Sequence, residues 1–476
     1  MHHEPVRYLS ERTAVMKQER RSTALPGPRG LAQLTILRRL LRDPQPVLDE
    51  LHAEHGPVCA LGWRPARIAV VGDPAAIRAL FALPSDSFRW GHRFNALGFV
   101  VGRASMIVSD GVDHQRRRGS VQAAFTRRRL NRWIPAILEQ TDLAIDRIAP
   151  LADGHAATID LYPVGRALVL DIIVRTMFGE QMAAHASQLG ALFQRPQDYL
   201  ESPALKQLPH PFPFTKRARV RRDRRTLDSL INTQIAERRL HPTGDPFDVL
   251  EALVQNPGLS DAEIRDQVVT LIGAGYDTTA ASLAWMLWRA ALEPGVWGRL
   301  RTEADAVFAQ YDNEHNPIDA TALSQLDYAN RVMRETVRLH PAGVISPRQA
   351  TIDIAIGSNT IRKGTLILWS AHLAGRDPAA WPDPLRFDPD RFLNLEPAQQ
   401  ALANQAWVPF GGGVRNCIGF ALSQMELTLI IARMAQRLDL TSTSDSLPVP
   451  VGMVVNRPAG GVPMYVAYRS ATVEAE

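Results

Sequence analysis

The chain has 476 residues, of which 45% are hydrophobic and 22% are charged, and its formal net charge is +5. This composition provides enough apolar material for a large core and excludes a chain that is disordered throughout. The two cysteines, Cys59 and Cys417, lie far apart in sequence. Their separation excludes a disulfide framework or a zinc site of paired cysteines and favours a cytoplasmic location.

Residues 1–25 are polar, and we predict a flexible N-terminal extension there, ahead of a single domain over residues 26–470. The extension is too polar for a signal peptide. No run in the chain approaches the roughly 18 apolar residues that span a bilayer, so the sequence predicts a soluble protein without a membrane anchor. No internal repeat or low-complexity linker divides the domain.

Helical patterns dominate the chain, with strands near its start and after residue 345. The pieces "VCALGW" and "ARIAVVG" between residues 30 and 85 predict a small mixed sheet with accompanying helices. Helical periodicity prevails from about 110 to 340, and residues 345–370 alternate in the manner of short strands. We therefore predict a mainly α fold with a smaller β part (α+β).

Basic residues are concentrated in two runs, 114–132 and 215–225. Such runs are usually solvated helix faces, and an acidic protein partner is the alternative that stays open. The runs lack regularly interleaved aromatic residues, and no zinc finger or ribonucleoprotein motif accompanies them. We therefore expect no nucleic-acid binding.

One predicted helix is much longer than the others. Ser260 and Glu263 have the spacing of a capping box, and Pro294 follows Glu293, so the pattern predicts a helix of about 33 residues. Since this segment is apolar on most faces, we expect it to pass through the core.

The middle of this helix carries poor helix formers, namely the glycines within 273–275, Asp277 and Thr278. One interpretation is that small residues let helices pack closely. The other is that the glycines make room for a large flat ligand, with an acid and a hydroxyl beside it. A buried carboxyl without a partner is costly, which favours a purpose for Asp277. These residues alone leave both interpretations open.

Cys417 directly follows a glycine-rich turn in "WVPFGGGVRNCIGF" and precedes an apolar pattern with helical spacing. We expect Cys417 to open a helix, where unpaired N–H groups and the helix dipole stabilise a thiolate. Three kinds of site fit: a haem with an axial thiolate, a phosphate on a glycine-rich loop, and a cysteine nucleophile with a distant histidine. A cysteine that only packs is the alternative without a ligand.

A third motif lies in "YANRVMRETVRLHP", where Glu335 and Arg338 are three residues apart on one helical face and can pair. In this order, "AGYDTT", "ETVR" and "PFGGGVRNCIG" resemble the motifs of the cytochrome P-450 superfamily of haem-thiolate monooxygenases. The resemblance extends over most of the chain and implies a single cytochrome P-450 fold with a long central helix over the haem. Glu335, Arg338 and Arg391 are then fold residues behind the haem. Where the family often has His-Arg-Asp-Pro, this chain has "GRDP", so Gly375 should affect local packing.

The resemblance implies haem b as the cofactor, with Cys417 as the axial ligand of the iron and a thiolate that favours O–O bond cleavage. The glycines of the loop would admit the porphyrin edge, Phe410 would cover the sulfur, and cations would meet the haem propionates. The residues expected to contact the cofactor are Cys417, Arg415, His114, Arg118, Arg348, Phe410, Gly411 and Gly419.

By the same resemblance, Asp277 and Thr278 form an acid–alcohol pair that delivers protons to dioxygen through water. Relatives that use hydrogen peroxide typically carry Arg-Pro here, so we expect O2 and electrons instead. The implied function is a haem-dependent monooxygenase that inserts one oxygen atom from O2 into an apolar small molecule, such as a fatty acid, terpenoid, steroid or polyketide. A haem-thiolate isomerase or peroxygenase and a non-catalytic haem-binding protein stay open as alternatives.

Three mostly apolar stretches stand where the family has its substrate-facing loops: residues 88–102, 341–346 and 452–460. An apolar pocket suits a hydrophobic substrate. Arg89 and Arg93 are candidate anchors for a substrate carboxylate, and surface solvation or a propionate contact is the alternative that we favour.

No flavin or nicotinamide segment follows the haem domain in this sequence. We therefore expect electrons to come ultimately from NAD(P)H through a separate ferredoxin or flavodoxin and its reductase. Arg415, Arg116 and the run 127–129 are candidate contacts for an acidic partner on the Cys417 side.

Overall fold

The computed structural model describes residues 25–469 apart from 64–65, 91–95, 153–155, 203, 211, 245–247, 312–315 and 358, and for 149–152, 204 and 205 it describes the backbone only. The extension expected over residues 1–25 lies outside the described residues except for Leu25, which is buried. The candidate anchor Arg93 also lies outside them.

Helices make up most of the described chain, as the sequence predicts. In chain order they are α1 (Ala32–Leu40), α2 (Pro44–His55), α3 (Pro74–Ala82), α4 (Ala96–Val101), α5 (Gly111–Gln122), α6 (Arg127–Asn131), α7 (Ile134–Ala152), α8 (Leu161–Ala183), α9 (Ala186–Leu200), α10 (Ala204–Gln207), α11 (Lys216–Leu240), α12 (Val249–Val254), α13 (Asp261–Leu292), α14 (Val296–Phe308), α15 (Ala320–Gln325), α16 (Asp327–Leu339), α17 (Ala371–Ala374), α18 (Pro397–Ala406) and α19 (Phe420–Arg437). Within the described ranges, no helix has the length and apolar character that crossing a membrane requires.

The described strands form one mixed sheet and smaller antiparallel ones. They are β1 (Val58–Leu61), β2 (Ile68–Val71), β3 (Phe88–Arg89), β4 (Ala157–Asp160), β5 (Ile345–Ala350), β6 (Ile354–Ile356), β7 (Asn359–Ile361), β8 (Leu366–Ser370), β9 (Leu438–Ser442), β10 (Pro450–Val451), β11 (Arg457–Pro458) and β12 (Pro463–Tyr468). The mixed sheet has the order β1-β2-β8-β5-β3, in which only β2 and β8 run parallel. β4, β12 and β9 form a second sheet, and β6-β7 and β10-β11 form two-stranded sheets. The predicted α+β class with a small mixed sheet is confirmed.

The mixed sheet is covered on both faces, because successive residues of a strand point to opposite sides. Ala69 and Val71 of β2 belong to one hydrophobic cluster. Val70 belongs to another cluster, which also contains Cys59. Burial raises the pKa of the Cys59 thiol to about 12, so this cysteine is a packing residue.

Helix α13 is the long helix that the sequence predicts, and it runs through the largest hydrophobic cluster. Its start has the predicted capping box: Ser260 accepts from the Glu263 N–H, and the Glu263 carboxylate accepts from the Ser260 N–H at 3.1 Å. Hydrogen bonds from Arg116 and Arg117 of α5 help to hold the pKa of the Glu263 carboxyl at about 2. One carboxylate thus fixes the start of the long helix and joins it to α5.

Candidate functional site

The loop that carries Cys417 folds back so that the cysteine lies beside Phe410. The Cys417 N–H donates to the Phe410 carbonyl at 2.8 Å. Helix α19 begins at Phe420, with Gly419 as its N-cap. The expectation that Cys417 itself opens the helix is therefore wrong by three residues, because its N–H is used to close the loop. Gly419 instead turns its backbone N–H toward the Cys417 sulfur.

The three glycines of the loop have conformational and packing reasons to be glycine. Gly411 and Gly413 have φ of +70° and +65°, where side chains are disfavoured. A Cβ on Gly412 would lie 2.2 Å from the Phe81 ring, and one on Gly413 would lie 2.3 Å from the Phe81 carbonyl oxygen. The close approach at Gly412 and Gly413 is thus to helix α3, and the approach of the loop glycines to a porphyrin edge stays a prediction.

The Cys417 side chain has charged and polar neighbours and is also accessible to solvent. Burial raises the pKa of its thiol, while the Gly419 N–H and the charge of Arg118 act in the opposite direction. The residue is nevertheless exposed. The sulfur therefore has room for a group that it can ligate.

Two arginines predicted to bind the cofactor meet over one tryptophan. The guanidinium carbons of Arg348 and Arg415 lie 5.1 and 4.0 Å from the centre of the Trp90 ring. Arg348 is buried, and its Nε finds no hydrogen-bond partner among the described residues. Burial, and then the charge of Arg415, lower the pKa of Arg348 to about 10. This is an unneutralised cation in the interior, which is costly without an anion.

Arg415 is held by the segment that precedes α5. It donates to the Ser109 carbonyl and to the Met106 carbonyl at 3.3 Å, and it pairs with Asp110 at 3.3 Å. Its Nε lacks an acceptor in the described chain, and burial lowers its pKa to about 10. Arg415 therefore keeps one buried donor free for a ligand.

His114 and Arg118 of α5 complete the set. Burial and the charges of Arg415 and Arg118 lower the pKa of His114 to about 4, so its imidazole is neutral at pH 7. Arg118 donates to the Asn416 carbonyl at 3.0 Å and to the Asn416 side chain at 2.8 Å, which fixes the residue before Cys417. The structure thus brings the four predicted propionate residues, His114, Arg118, Arg348 and Arg415, into one electrostatically coupled group.

This group of cations fits the carboxylates of a haem. The charge of Arg415 repels those of Arg348 and Arg118, and Arg118 in turn acts on Cys417. Arg348 and Arg415 each have a buried N–H without an acceptor among the described residues. A ligand with two carboxylates would neutralise the repulsion and fill the vacant acceptor positions. A single phosphate on the glycine loop fits less well, because Gly412 and Gly413 are packed on Phe81.

Aromatic rings pack under the loop. The ring of Phe410 lies 4.8 Å from that of Phe420 and 5.8 Å from that of Trp407, measured between ring centres. The Trp407 indole N–H donates to the Arg334 carbonyl at 3.2 Å. Phe410 is therefore part of an apolar cluster next to Cys417, in keeping with its predicted position.

The middle of α13 uses its glycines for packing. A Cβ on Gly273 would lie 3.2 Å from the Phe193 ring of α9, and one on Gly275 would lie 2.9 Å from Ile173 of α8. The packing interpretation therefore holds for both glycines. Ala274, by contrast, is exposed although it lies in the middle of the long helix. It is Ala274 that leaves open space along the helix.

Asp277 and Thr278 lie next to each other in sequence but use different partners. The Thr278 hydroxyl donates to the Ala274 carbonyl at 2.7 Å, on the accessible side of the helix. Asp277 is buried, and its Oδ1 lies 3.8 Å from an Arg166 nitrogen of α8. Burial raises the pKa of Asp277, against the opposing charges of Arg166 and Arg457. The buried acid and the accessible hydroxyl are thus adjacent in sequence but lie in different surroundings.

The ion pair expected from "ETVR" is completely buried. Arg338 donates to both oxygens of Glu335 at 2.7 and 2.8 Å, and Arg391 donates to Glu335 at 2.7 Å. Arg338 also donates to the Gly375 carbonyl. A Cβ on Gly375 would lie 2.4 Å from the Arg338 carbonyl oxygen, so the glycine in "GRDP" serves local packing as expected. These contacts are those of fold residues.

The sequence did not predict the contacts that Trp90 and Arg166 make in this region. Trp90 lies within the predicted substrate-facing stretch, and its ring supports two of the cofactor arginines. Arg166 stands alone in the apolar pattern "VGRALVL" of α8 and contacts Tyr276 as well as Asp277. A lone cation inside an apolar helical pattern is a signal that pointed to a buried acid.

Comparisons with known proteins identify the family of this chain. The family model "Cytochrome P450" matches residues 26–462. The cytochrome P450 139 protein of Mycobacterium tuberculosis is 34% identical over 371 residues, covering 76% of this chain and 83% of the relative. Cyclooctat-9-en-7-ol 5-monooxygenase of Streptomyces melanosporofaciens is 29% identical over 434 residues, covering 88% of this chain and 90% of the relative.

The fold is shared with a solved structure, retinoic acid bound cyanobacterial CYP120A1. The TM-score is 0.81 at 24% identity, with 94% of this chain and all of the other chain (100%) covered. Together with the match of the family model, these likenesses assign both the fold and the class of enzyme. The chain belongs to the cytochrome P450 family of haem monooxygenases and is an oxidoreductase.

Proposed function

We propose that this chain binds haem b through Cys417 and inserts one oxygen atom from O2 into an apolar small molecule, as a hydroxylation or an epoxidation. The observation that carries the proposal is the group of neighbouring cations near Cys417, in which Arg348 and Arg415 each have a buried N–H without an acceptor among the described residues. These donors favour a ligand that combines a thiolate-binding metal with two carboxylates.

In this proposal each of these residues helps to bind the haem. Cys417 is the axial ligand, and the Gly419 N–H tempers the charge of its thiolate. Arg348 and Arg415 take the propionates, while neutral His114 adds a hydrogen bond without adding charge. Phe410 and its aromatic neighbours keep water from the sulfur. Haem, when bound, supplies the activation of dioxygen at its iron.

Asp277 and Thr278 would handle protons. Because its hydroxyl proton is committed to the Ala274 carbonyl, Thr278 presents oxygen lone pairs to a water in the accessible space. Asp277 stays protonated more readily than a solvated carboxyl and gives its proton to that water. The carboxylate that remains is stabilised by Arg166.

An apolar substrate suits the walls that the described residues provide. Two of the three predicted substrate-facing stretches touch each other, since the Asn456 N–H donates to the Ala342 carbonyl at 2.9 Å. The Streptomyces relative is named for the oxidation of cyclooctat-9-en-7-ol. We propose a fatty acid, terpenoid, steroid or polyketide as the substrate class.

Electrons would come from NAD(P)H through a ferredoxin or flavodoxin and its reductase in the cytoplasm. Of the candidate contacts for such a partner, Arg116 is engaged with Glu263 and the Gly258 carbonyl, and Arg415 is engaged inside the site. Arg127 and Arg128 of α6 are exposed. We therefore assign the docking role to α6, where charge complementarity with an acidic partner is available.

Isotope labelling tests the proposal. The purified holoenzyme is combined with a surrogate ferredoxin and reductase, and lipids that shift the haem spin state are turned over under ¹⁸O2. We expect products that carry one ¹⁸O atom. Products that carry oxygen only from water, or turnover with peroxide alone and none with O2, would contradict the proposal.

A further inference from the structure

A carboxylate from one helix holds a turn of another part of the chain through consecutive backbone amides. Glu201, directly after α9, accepts from the N–H of Met453 at 2.6 Å, of Val454 at 3.2 Å and of Val455 at 3.1 Å. Arg457 adds a charge contact to the same carboxylate at 3.7 Å. Three backbone donors on one carboxylate form a strong, charge-assisted arrangement.

The turn can present these amides because it is tight. Gly452 has φ of +101°, and a Cβ there would lie 2.1 Å from the Val455 carbonyl oxygen. Successive N–H groups of such a turn point into one concavity, which attracts an anion. The Glu201 carboxylate, whose side chain is 15% exposed, fills this concavity.

Glu201 lies at the C-terminal end of α9, a position that is unfavourable for a carboxylate without hydrogen-bond donors. The C-terminal end of a helix carries partial negative charge, which repels a carboxylate. The last carbonyls of α9 accept from the Gln207 side chain, which donates to the Tyr199 carbonyl at 3.3 Å and to the Leu200 carbonyl at 2.8 Å. A carboxylate only accepts hydrogen bonds and cannot cap these carbonyls, so the partners of Glu201 are the amides of the distant turn.

The far side of the turn is anchored to two other parts of the predicted pocket. The Asn456 side chain donates to the Pro341 carbonyl at 3.2 Å. The indole N–H of Trp285, on the long helix α13, donates to the Asn456 carbonyl at 3.1 Å. The turn is thus fixed at Asn456 to the long helix and to the stretch 341–346, and at residues 453–455 to the end of α9.

We propose that Glu201 is a positioning residue that sets the shape of the substrate pocket by holding the turn 452–456 between α9 and α13. The proposal rests on the proposed function, because that function makes the turn a pocket wall. Removal of the carboxylate frees three amides at once, so the wall at Met453 and Val454 relaxes while its end at Asn456 stays anchored. The affinity for bulky ligands should therefore change, and the affinity for small ligands should not.

Hydrogen exchange on the holoenzyme tests the contact directly. The variants are Glu201→Gln, which keeps an acceptor oxygen, and Glu201→Ala, which removes it; Asp198→Asn is the matched control, an exposed acid of α9 in the preceding turn. We expect the amides of 453–455 to exchange about tenfold faster in Glu201→Ala, less so in Glu201→Gln, and unchanged in the control. Equal exchange in all four proteins would overturn the proposal.

Azole binding tests the consequence for the pocket. The dissociation constants of imidazole and 4-phenylimidazole are measured from the haem spectrum, and their ratio compares a small ligand with a bulky one. We expect the ratio to change about threefold or more in Glu201→Ala, with the affinity for imidazole unchanged. An unchanged ratio alongside faster exchange would refute the role in the pocket. If the wild-type protein binds no haem, the proposed function fails, and exchange still decides whether Glu201 holds the turn.

Discussion

Glu426 of α19 offers the sharpest prediction about stability, because it is a carboxyl buried without a cation. It is 1% exposed, and its Oε1 has no hydrogen-bond partner among the described residues. Burial raises the pKa of Glu426 from 4.5 to about 8. The folded chain therefore keeps a proton that the unfolded chain releases near pH 4.5.

The direction of the pH effect follows from this difference. The stabilisation by the bound proton is fully present below the unfolded pKa, declines as pH rises, and is lost once pH passes the folded pKa. A shift from 4.5 to about 8 corresponds to roughly 5 kcal/mol, at about 1.4 kcal/mol for each pH unit. Glu426→Gln has no proton to lose, so its stability relative to the wild type should rise by up to about 5 kcal/mol between pH 4.5 and pH 8.

The assay is thermal and denaturant unfolding of both proteins across this pH range, followed by helical circular dichroism. Glu139→Gln, on the exposed side of α7, is the control for loss of a glutamate. The stability difference between Glu426→Gln and the wild type should grow steadily with pH, and the control should show no such trend. A difference that is independent of pH would refute the reasoning from burial.

Three further predictions follow from the site. Arg348→Gln removes a buried, unneutralised cation, so the apoprotein should unfold at a higher temperature than the wild type while the purified protein retains less haem; an exposed change, Arg222→Gln, should alter neither. Glu335→Gln leaves the buried Arg338 and the half-buried Arg391 without their carboxylate and should cost about 3–5 kcal/mol of unfolding free energy, and a loss below about 1 kcal/mol would contradict the buried network. Thr278→Val should keep the oxidation of NAD(P)H but divert it from product to hydrogen peroxide, measured as the product-to-cofactor ratio; an unchanged ratio would remove the hydroxyl from proton delivery.

The sequence predicted the long helix well because its signals are local. The structure has the predicted capping box at Ser260 and Glu263, and the apolar pattern correctly indicated that the helix passes through the core. Local sequence could not predict the role of Gly273 and Gly275, because the side chains that they contact, Phe193 and Ile173, come from other helices. Sequence spacing cannot tell a glycine that admits a ligand from one that admits a side chain.

The same limit applies to the cofactor site. The motif around Cys417 predicted a haem loop, but the packing of Gly412 on Phe81 depends on a contact over more than 300 residues. Trp90, which supports Arg348 and Arg415, carries no motif of its own. Likewise, the charged partner of Asp277 is Arg166 on another helix, α8, and no local sequence signal joins the two residues.

The most direct test of the account is the carbon monoxide difference spectrum of the dithionite-reduced protein, recorded beside Cys417→Ala. We expect a thiolate-type Soret band in the wild type that is absent from the variant, with both proteins folded by circular dichroism. A wild type without haem, or a histidine-type band that the substitution leaves unchanged, would contradict Cys417 as the axial ligand and with it the proposed site.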